Sequence, residues 1–497
     1  MESVTNTRRD FLIGAGFSVF AGGASTGGTP GSPAVIQEKP RQTPVVHECD
    51  ICVIGGSCTG VFAAVRAARL GRGVALLENN GFFGGVATAA KVNVWHSRFD
   101  TAGEREIIGG LTVELIDRLV KRGAARVYAK SNPSRYAVFN SAEMTMELDR
   151  LVDEHQSVRP FLHALFVAGV AEAGRMSHAI IEDKSGRRAL KARYFIDAAG
   201  DADMLTRIGQ PVRKDTVLQP PTMCALVSGL DEVRKANSGF DLGKIIYDED
   251  RFAEALAPGF VWTAASVGFP GVTMVAGTGV WGADCSDADQ LTRASIEGRR
   301  QVRVIRDILH DNLRGGEHVS VGALPARMGV RETRHAVCRY RLSETEVLEG
   351  TRFEDAIANG SYRVDVHHPD KEGADVSLPG RARSLHHPGP QAGGTTLAPR
   401  AGSQPDFLPG SLPQYRAQGQ PECPLCRPHG GCRPWRLRGG SRDGQLQSDG
   451  RDRGGRGSCE MRGRFDNSLA RALPEACLNG RIEQLAGNIY PDLGIFW

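Results

Sequence analysis

The pattern of apolar and polar positions changes period twice between residues 49 and 88. Ile51–Ile54 is a short apolar run with β-branched side chains, which predicts a buried parallel strand. Val61–Leu70 carries apolar residues at helical spacing with arginines between them, which predicts a helix. Val74–Leu77 is a second apolar run and predicts another buried strand. The stretch therefore predicts a βαβ unit.

The turn between the first strand and the helix has the spacing of a phosphate-binding loop. In a G-x-G-x-x-G pattern, Gly55 and Gly60 take the outer places and Ser57 takes the middle one, where its hydroxyl could donate to a phosphate oxygen. Glu78 stands at the carboxyl end of the second strand. It follows the turn by about 20 residues, the spacing at which an acid binds the ribose hydroxyls of a dinucleotide. Together these features predict a dinucleotide site at a helix N-terminus. An ordinary βαβ crossover is the alternative.

A glycine-paired loop, Gly81–Thr88, follows the ribose acid directly. Here the chain resembles the FAD-dependent oxidoreductases, the broad class that includes fumarate reductase flavoproteins. The resemblance implies that this loop wraps FAD, whereas a nicotinamide enzyme has no special need of a second glycine pair. FAD is therefore the expected cofactor, and an NAD(P)-dependent dehydrogenase is an alternative.

A second stretch resembles the same family, where the apolar strand Tyr194–Ile196 runs into D-A-A-G-D-A-D. Small residues there let the strand end approach the cofactor, although Asp201 and Asp203 could instead cap the helix that begins near Met204. The predicted cofactor-binding residues are Gly55, Gly56, Ser57, Thr59, Gly60, Glu78, Asn79, Gly84, Gly85, Thr88, Gly200 and Asp201.

Two residues are predicted to be catalytic. His96 follows the glycine pair and could carry a proton near the flavin, because imidazole titrates near neutrality. Arg331 lies in a segment, Gly329–Arg334, that resembles the family's substrate region, and its guanidinium could orient an anionic or polyhydroxylated substrate. A packed histidine beside Trp95 and a surface ion pair are the alternatives.

The fold class expected is α/β. A Rossmann-like, three-layer FAD-binding domain is predicted over residues 45–225, with an inserted α+β substrate domain over residues 226–370. The clearest amphipathic helices are predicted at Gly110–Arg122, Ala142–Glu154 and Gln290–Leu313.

The amino-acid composition adds little to the predicted fold and function. The chain has 497 residues, of which 41% are hydrophobic, so it can bury a sizeable core. A net charge of +4 is small for this length and gives no sign of a nucleic-acid partner. Eleven irregularly spaced cysteines imply no disulfide framework.

The N-terminus, residues 1–44, is predicted to be a signal and linker. Thr7–Ile13 contains a twin-arginine pattern, and the apolar stretch after it is too short and glycine-rich for a permanent membrane span. The sequence thus predicts export to the periplasm or another extracytoplasmic space. A disordered tail with a chance arginine pair is the alternative.

Residues 371–497 differ in character from the rest. Val376 is the last Val or Ile before Ile482, and residues 421–460 contain 9 Gly and 8 Arg. Joining the last two bases of each codon to the first base of the next permits a sequence with A-G-R and D-R-G-A-F-G motifs, which resembles the family's closing FAD segment. We therefore expect this region to be frameshifted, non-native and of low order. A disordered basic tail is the alternative by composition.

Two groups of cysteines have spacings like those of metal sites, but both are discounted, so no metal is assigned. Cys49 and Cys52 stand three apart on a strand and face opposite sides. A zinc-like cluster falls inside the region expected to be frameshifted and comprises Cys423, Cys426, His429 and Cys432.

The function expected is hydride transfer between a small organic substrate and FAD, with re-oxidation by a partner or quinone-like acceptor. The resemblance names no substrate. A second possibility is an incomplete or catalytically dead flavoprotein, because the closing FAD segment is missing.

Overall fold

The structure, a computed structural model, describes residues 35–96, 98–100, 102–128, 137–172, 175–338, 340–353, 356–362, 364–367, 374–377, 384–387 and 414–416. The chain forms two units, residues 1–42 and 43–497. In the first unit, residues 35–42 contain neither helix nor strand. The twin-arginine pattern, the four-residue zinc-like cluster and most of residues 371–497 lie outside the described residues.

The second unit contains all the described helices and strands. The strands are β1 (Val45–Ile54), β2 (Val74–Leu77), β3 (Val94–Trp95), β4 (Ala125–Val127), β5 (Ala137–Phe139), β6 (Val158–Phe161), β7 (Leu165–Glu172), β8 (Arg175–Asp183), β9 (Gly186–Asp197), β10 (Val212–Lys214), β11 (Ala225–Ser228), β12 (Trp262–Ala265), β13 (Val272–Ala276), β14 (Ser320–Ala323), β15 (Arg334–Ala336), β16 (Ala356–Asn359), β17 (Val364–His367), β18 (Ala374–Ser377), β19 (Ser384–His387) and β20 (Gln414–Arg416). The α-helices are α1 (Cys58–Arg69), α2 (Leu111–Lys121), α3 (Ser141–Asp153), α4 (Asp203–Arg207), α5 (Leu230–Ala236), α6 (Leu242–Ile246), α7 (Ala288–Asn312) and α8 (Glu344–Glu349).

The central sheet has the strand order β6-β2-β1-β9-β8-β7. The pairs β6–β2, β2–β1 and β1–β9 are parallel, while β8 pairs antiparallel with both β9 and β7. The predicted α/β fold class with a Rossmann-like parallel sheet is confirmed. Since parallel strands end at one edge, the carboxyl ends of β2, β1 and β9 lie side by side, with β1 in the middle.

Both faces of the central sheet are covered. Along β1, Ile51 and Val53 belong to a core shared with α1, α2 and α3, whereas Cys52 and Ile54 belong to a core on the other face that includes residues of β7, β8 and β9. Alternate side chains of a strand point to opposite faces, so a strand covered on both sides must be apolar throughout. This explains the continuous apolar run at the end of β1. The strand begins earlier than predicted because its first half pairs with β9.

A second core lies among residues that follow β10. It includes apolar side chains of α7 and of the four-stranded antiparallel sheet β12-β13-β11-β14. Antiparallel strands with a long helix fit the α+β character expected there, while the boundaries at residues 225 and 370 stay predictions. Among the described helices, none combines the length and the apolar character that crossing a bilayer requires.

Candidate functional site

The turn after β1 is so tight that it excludes side chains at two glycines. Gly55 has φ +104°, and a Cβ there would lie 2.4 Å from the carbonyl oxygen of Ala198. A Cβ on Gly60 would lie 1.9 Å from the carbonyl oxygen of Gly55. Only glycine fits such close backbone approaches. The predicted pattern therefore has a steric cause at both of its outer positions.

Ser57, in the middle of the pattern, is the N-cap of α1. Its hydroxyl accepts a hydrogen bond from the backbone N–H of Gly60 at 3.2 Å and donates to the carbonyl oxygen of Ala198 at 3.3 Å. N-cap serines stabilise helices in this way. In the structure the Ser57 hydroxyl thus bonds within the chain, and its contact with phosphate stays a prediction.

The start of α1 presents donors suited to an anion. Among the described residues, no acceptor bonds the backbone N–H groups of Ser57 and Thr59. The first turn of α1 carries no acidic residue that would repel a negative charge. Unpaired N–H groups and the helix dipole together favour phosphate at such a position. The residues present therefore fit a dinucleotide diphosphate.

Glu78 ties the end of β2 to this turn. Its carboxylate is buried, with 6% of the residue exposed, and accepts hydrogen bonds from the backbone N–H of Gly56 at 2.8 Å and of Asn80 at 2.8 Å. The side-chain amide of Asn80 donates a third at 2.6 Å. A carboxylate has about four acceptor positions, so about one remains for a ribose hydroxyl. Sequence reasoning gave Glu78 a ligand role and missed this structural one.

The loop that carries Gly84 lies beside the turn. The backbone N–H of Gly84 donates to the carbonyl oxygen of Gly56 at 2.8 Å, and Gly84 has φ +112°. Gly85 begins a short 3₁₀ helix, Gly85–Ala87. Thr88 is buried, and its hydroxyl donates to the carbonyl oxygen of Phe83 at 2.7 Å. The loop is thus held against the first turn by its backbone, and direct contact of its residues with FAD stays a prediction.

The stretch after β9 contains the last two predicted FAD-binding residues, Gly200 and Asp201. Gly200 has φ +91°, and the Asp201 carboxylate accepts a hydrogen bond from the Thr333 hydroxyl at 2.5 Å. Asp203 pairs with the Arg334 guanidinium at 2.5 Å. The residue that caps α4 is Ala202, without a side-chain hydrogen bond. The alternative in which these aspartates cap the helix is therefore not what the structure shows.

Burial raises the pKa of Asp201 to about 6, although the Thr333 hydroxyl and the Arg334 guanidinium oppose the rise. Between a pH of about 4 and about 6 the folded chain holds a proton that the unfolded chain has lost. The free energy of unfolding therefore falls as pH rises through this window, by up to about 3 kcal/mol, and the loss persists above it. We expect Asp201→Asn, measured by urea unfolding of the flavin-free chain, to lack this fall. Parallel pH profiles for the two proteins would contradict the assignment.

Arg331 lines a cavity of about 320 Å³. Its guanidinium donates to the Thr222 hydroxyl at 3.2 Å. The backbone of Thr222 pairs with that of Gly329, where a Cβ would lie 3.7 Å from the Cβ of Ala90. Gly329, the backbone partner of the cavity-lining Thr222, therefore lies close to Ala90 in the segment that follows Gly84 and Gly85. Other walls are formed by Tyr247, Trp281, Gln301 and His367.

His96 is not among the residues that line this cavity. Its ring packs against Tyr362, with 4.8 Å between the centroids. The structure thus does not bring the two predicted catalytic residues to one cavity, and the proton role of His96 stays a prediction. His367, which sequence reasoning missed, does line the cavity and is buried. Its position at the end of β17 gave no signal, because only the tertiary fold brings it there.

Among the described residues, one group of three side chains is close enough together to bind a metal ion. Asp215, Glu332 and His335 have ligand atoms within 4.8 Å of one another. Glu332 accepts a hydrogen bond from His335 at 3.1 Å, and Asp215 pairs with Arg213 at 3.5 Å. These groups therefore already have partners, and nothing in the cluster requires an ion.

Burial disfavours metal binding at the first cysteine pair. It raises the pKa of Cys49 to about 11 and that of Cys52 well above the usual thiol value. Metals bind the thiolate form, so these two thiols are poor ligands.

Comparison with known proteins identifies one family. The sequence matches the family described as FAD dependent oxidoreductase over residues 50–389. No curated protein matches it. Remote structural similarity extends to the p-nitrophenol 4-monooxygenase of Pseudomonas putida (13% identity, TM-score 0.38, 60% of this chain and 71% of that chain) and to a myxobacterial chondrochloren halogenase (14%, 0.36, 59% and 66%). A geranylgeranyl bacteriochlorophyll reductase-like protein of Thermoplasma acidophilum is similar at 14% identity (TM-score 0.35, 59% and 67%).

Proposed function

The chain belongs to the family of FAD-dependent oxidoreductases, and from this premise we propose that it transfers hydride between FAD and a small organic anion held by Arg331. FAD supplies the redox chemistry when it is bound, by exchanging a hydride at N5. The proposal that the substrate is an anion is supported by the cavity of about 320 Å³ that Arg331 lines.

The charges around the cavity favour an anion. Arg300 and Glu297 also line it, but they neutralise each other through two hydrogen bonds of 2.7 Å. Arg331 lines the same cavity, and its planar guanidinium suits a carboxylate. A cavity of this size fits a small metabolite. Trp281 and Tyr247 offer apolar surface for the rest of the molecule.

Two residues of the chain support turnover in this proposal. Arg331 binds the anionic group of the substrate and so orients the substrate in the cavity. His367, buried at the cavity wall, donates or accepts the proton that accompanies hydride transfer. A second acceptor re-oxidises the cofactor.

Arg331→Met tests the substrate class. Flavin reduction is measured with a panel of small carboxylates and their neutral amides. We expect the wild-type chain to be reduced by a carboxylate in preference to its amide, and the variant to lose that preference with a KM raised by about 10-fold or more, because a charge-assisted hydrogen bond is lost.

Arg303→Met is the matched control, since Arg303 is exposed on α7 and has no ion pair among the described residues. It should behave as wild type. An unchanged preference in Arg331→Met would contradict the proposal.

A second candidate is a flavoprotein that binds FAD incompletely. The family match ends at residue 389, although the chain continues to residue 497. The absence of Val and Ile from residues 377–481 supports an aberrant C-terminal region. In that case the chain holds the adenosine half of FAD without supporting turnover, and the flavin content of the purified chain separates the two candidates.

A further inference from the structure

Arg327 lies far along the sequence from β1 and β2, but its side chain contacts the edge of the central sheet where these strands have their carboxyl ends. Its guanidinium donates a hydrogen bond to the side-chain carbonyl of Asn79, 248 residues earlier. The backbone N–H groups of Ala326 and Arg327 both donate to the carbonyl oxygen of Ala89, at 2.9 and 3.3 Å. The segment between β14 and β15 is thus fastened to the loop that follows Gly84 and Gly85.

The strand order fixes where this guanidinium lies. Asn79 follows the end of β2, and Asp201 follows the end of β9. Burial raises the pKa of Asp201, and the nearby charge of Arg327 is one of the influences that lower it. Because β1 is the neighbour of β2 in the sheet, an arginine bonded to Asn79 lies at the same edge of the sheet as the carboxyl end of β1. That end is followed by the turn whose N–H groups at Ser57 and Thr59 have no acceptor among the described residues.

Arg327 also lacks an anionic partner of its own. Among the described residues it forms no ion pair with a carboxylate, and its side chain is exposed. Its hydrogen bond to the neutral Asn79 amide uses one of about five N–H donors of a guanidinium. The remaining donors and the full positive charge are available to a ligand at the turn.

We propose that Arg327 binds the diphosphate of FAD, together with the N-terminus of α1. The dinucleotide diphosphate carries two negative charges, whereas the helix dipole supplies only about half a positive charge. A guanidinium provides a full charge and a planar fork that matches phosphate oxygens. Arg327 therefore makes the substrate region a part of the cofactor site, and Asn79 positions its side chain. This inference depends on FAD binding and not on the hydride transfer proposed above.

Direct binding measurements on the flavin-free full chain test this role. FAD is titrated directly, and ADP and adenosine are measured by competition with FAD. In Arg327→Gln, we expect FAD and ADP to bind about 10- to 100-fold more weakly, because a charge-assisted contact is lost, while adenosine binding is unchanged. Arg327→Lys keeps the charge without the fork and should fall between wild type and Arg327→Gln.

Arg234→Gln is the matched control, because Arg234 is an exposed arginine of α5 whose partner is the exposed Asp231. It should bind all three ligands as wild type does. Unchanged FAD and ADP affinities in Arg327→Gln would overturn the proposal. Equal weakening of FAD, ADP and adenosine, with a lower melting temperature of the flavin-free chain, would also overturn it, since Arg327 would then only hold the loop in place.

Discussion

Replacement of Glu78 by alanine is expected to lower FAD affinity by about 100-fold or more. The carboxylate accepts hydrogen bonds from Gly56 and twice from Asn80, so its loss leaves a buried backbone N–H of the phosphate turn without an acceptor. Each buried donor left unsatisfied costs about 1–3 kcal/mol. A ribose hydroxyl loses its acceptor at the same time. FAD titration and urea unfolding of the same variant measure the two effects separately.

Glu114→Gln serves as the control for this variant. Glu114 lies on α2, where hydrogen bonds from Arg69 lower its pKa to about 2 despite partial burial. Its loss removes two partly exposed ion pairs, with Arg118 and with Arg69 at the opposite end of α1 from the phosphate turn, so FAD affinity should stay at the wild-type value. If Glu78→Ala unfolds more easily but keeps wild-type FAD affinity, Glu78 only supports the turn and does not bind the nucleotide.

Restoration of the reading frame near codons 368–374 is expected to have the second large effect. The shifted frame permits a strand and a glycine-rich helix that resemble the family's closing FAD segment. Such a helix would add a second N-terminus at the flavin end of the cofactor. We expect the restored chain to purify with about one FAD per chain and the present chain with clearly less, as measured by the absorbance of released flavin.

Nucleotide sequencing of the gene provides the independent check on this hypothesis. A single-base insertion or deletion near these codons, relative to a gene that encodes the motifs A-G-R and D-R-G-A-F-G, is the expected finding. Equal FAD content in both chains would show that the restored segment takes no part in cofactor binding.

Local patterns in the sequence are sufficient to predict the βαβ unit on which the candidate site is built. The run Val74–Leu77 is β2 with the same bounds, and the helix that follows the glycine turn was predicted within three residues of its true start at Cys58. These features follow from side-chain periodicity and from sterically restricted glycines, which neighbouring residues determine. The helix begins earlier than predicted because Ser57, inside the predicted turn, is its N-cap.

The rest of the site depends on contacts between distant segments. Arg327 meets Asn79 across 248 residues, and Thr222, Arg331 and His367 converge on one cavity only through the tertiary fold. No periodicity in the sequence encodes such pairings. His96 follows the glycine loop in sequence but does not line this cavity, and its proton role near the flavin stays a prediction.

The central claim is that the turn between β1 and α1 holds the diphosphate of FAD. The most direct measurement is to purify the full chain, denature it and identify the released nucleotide by chromatography, beside the Glu78→Ala variant. We expect wild type to release FAD and the variant to release little or none. Release of a nicotinamide nucleotide or FMN, or equal FAD from both proteins, would contradict it.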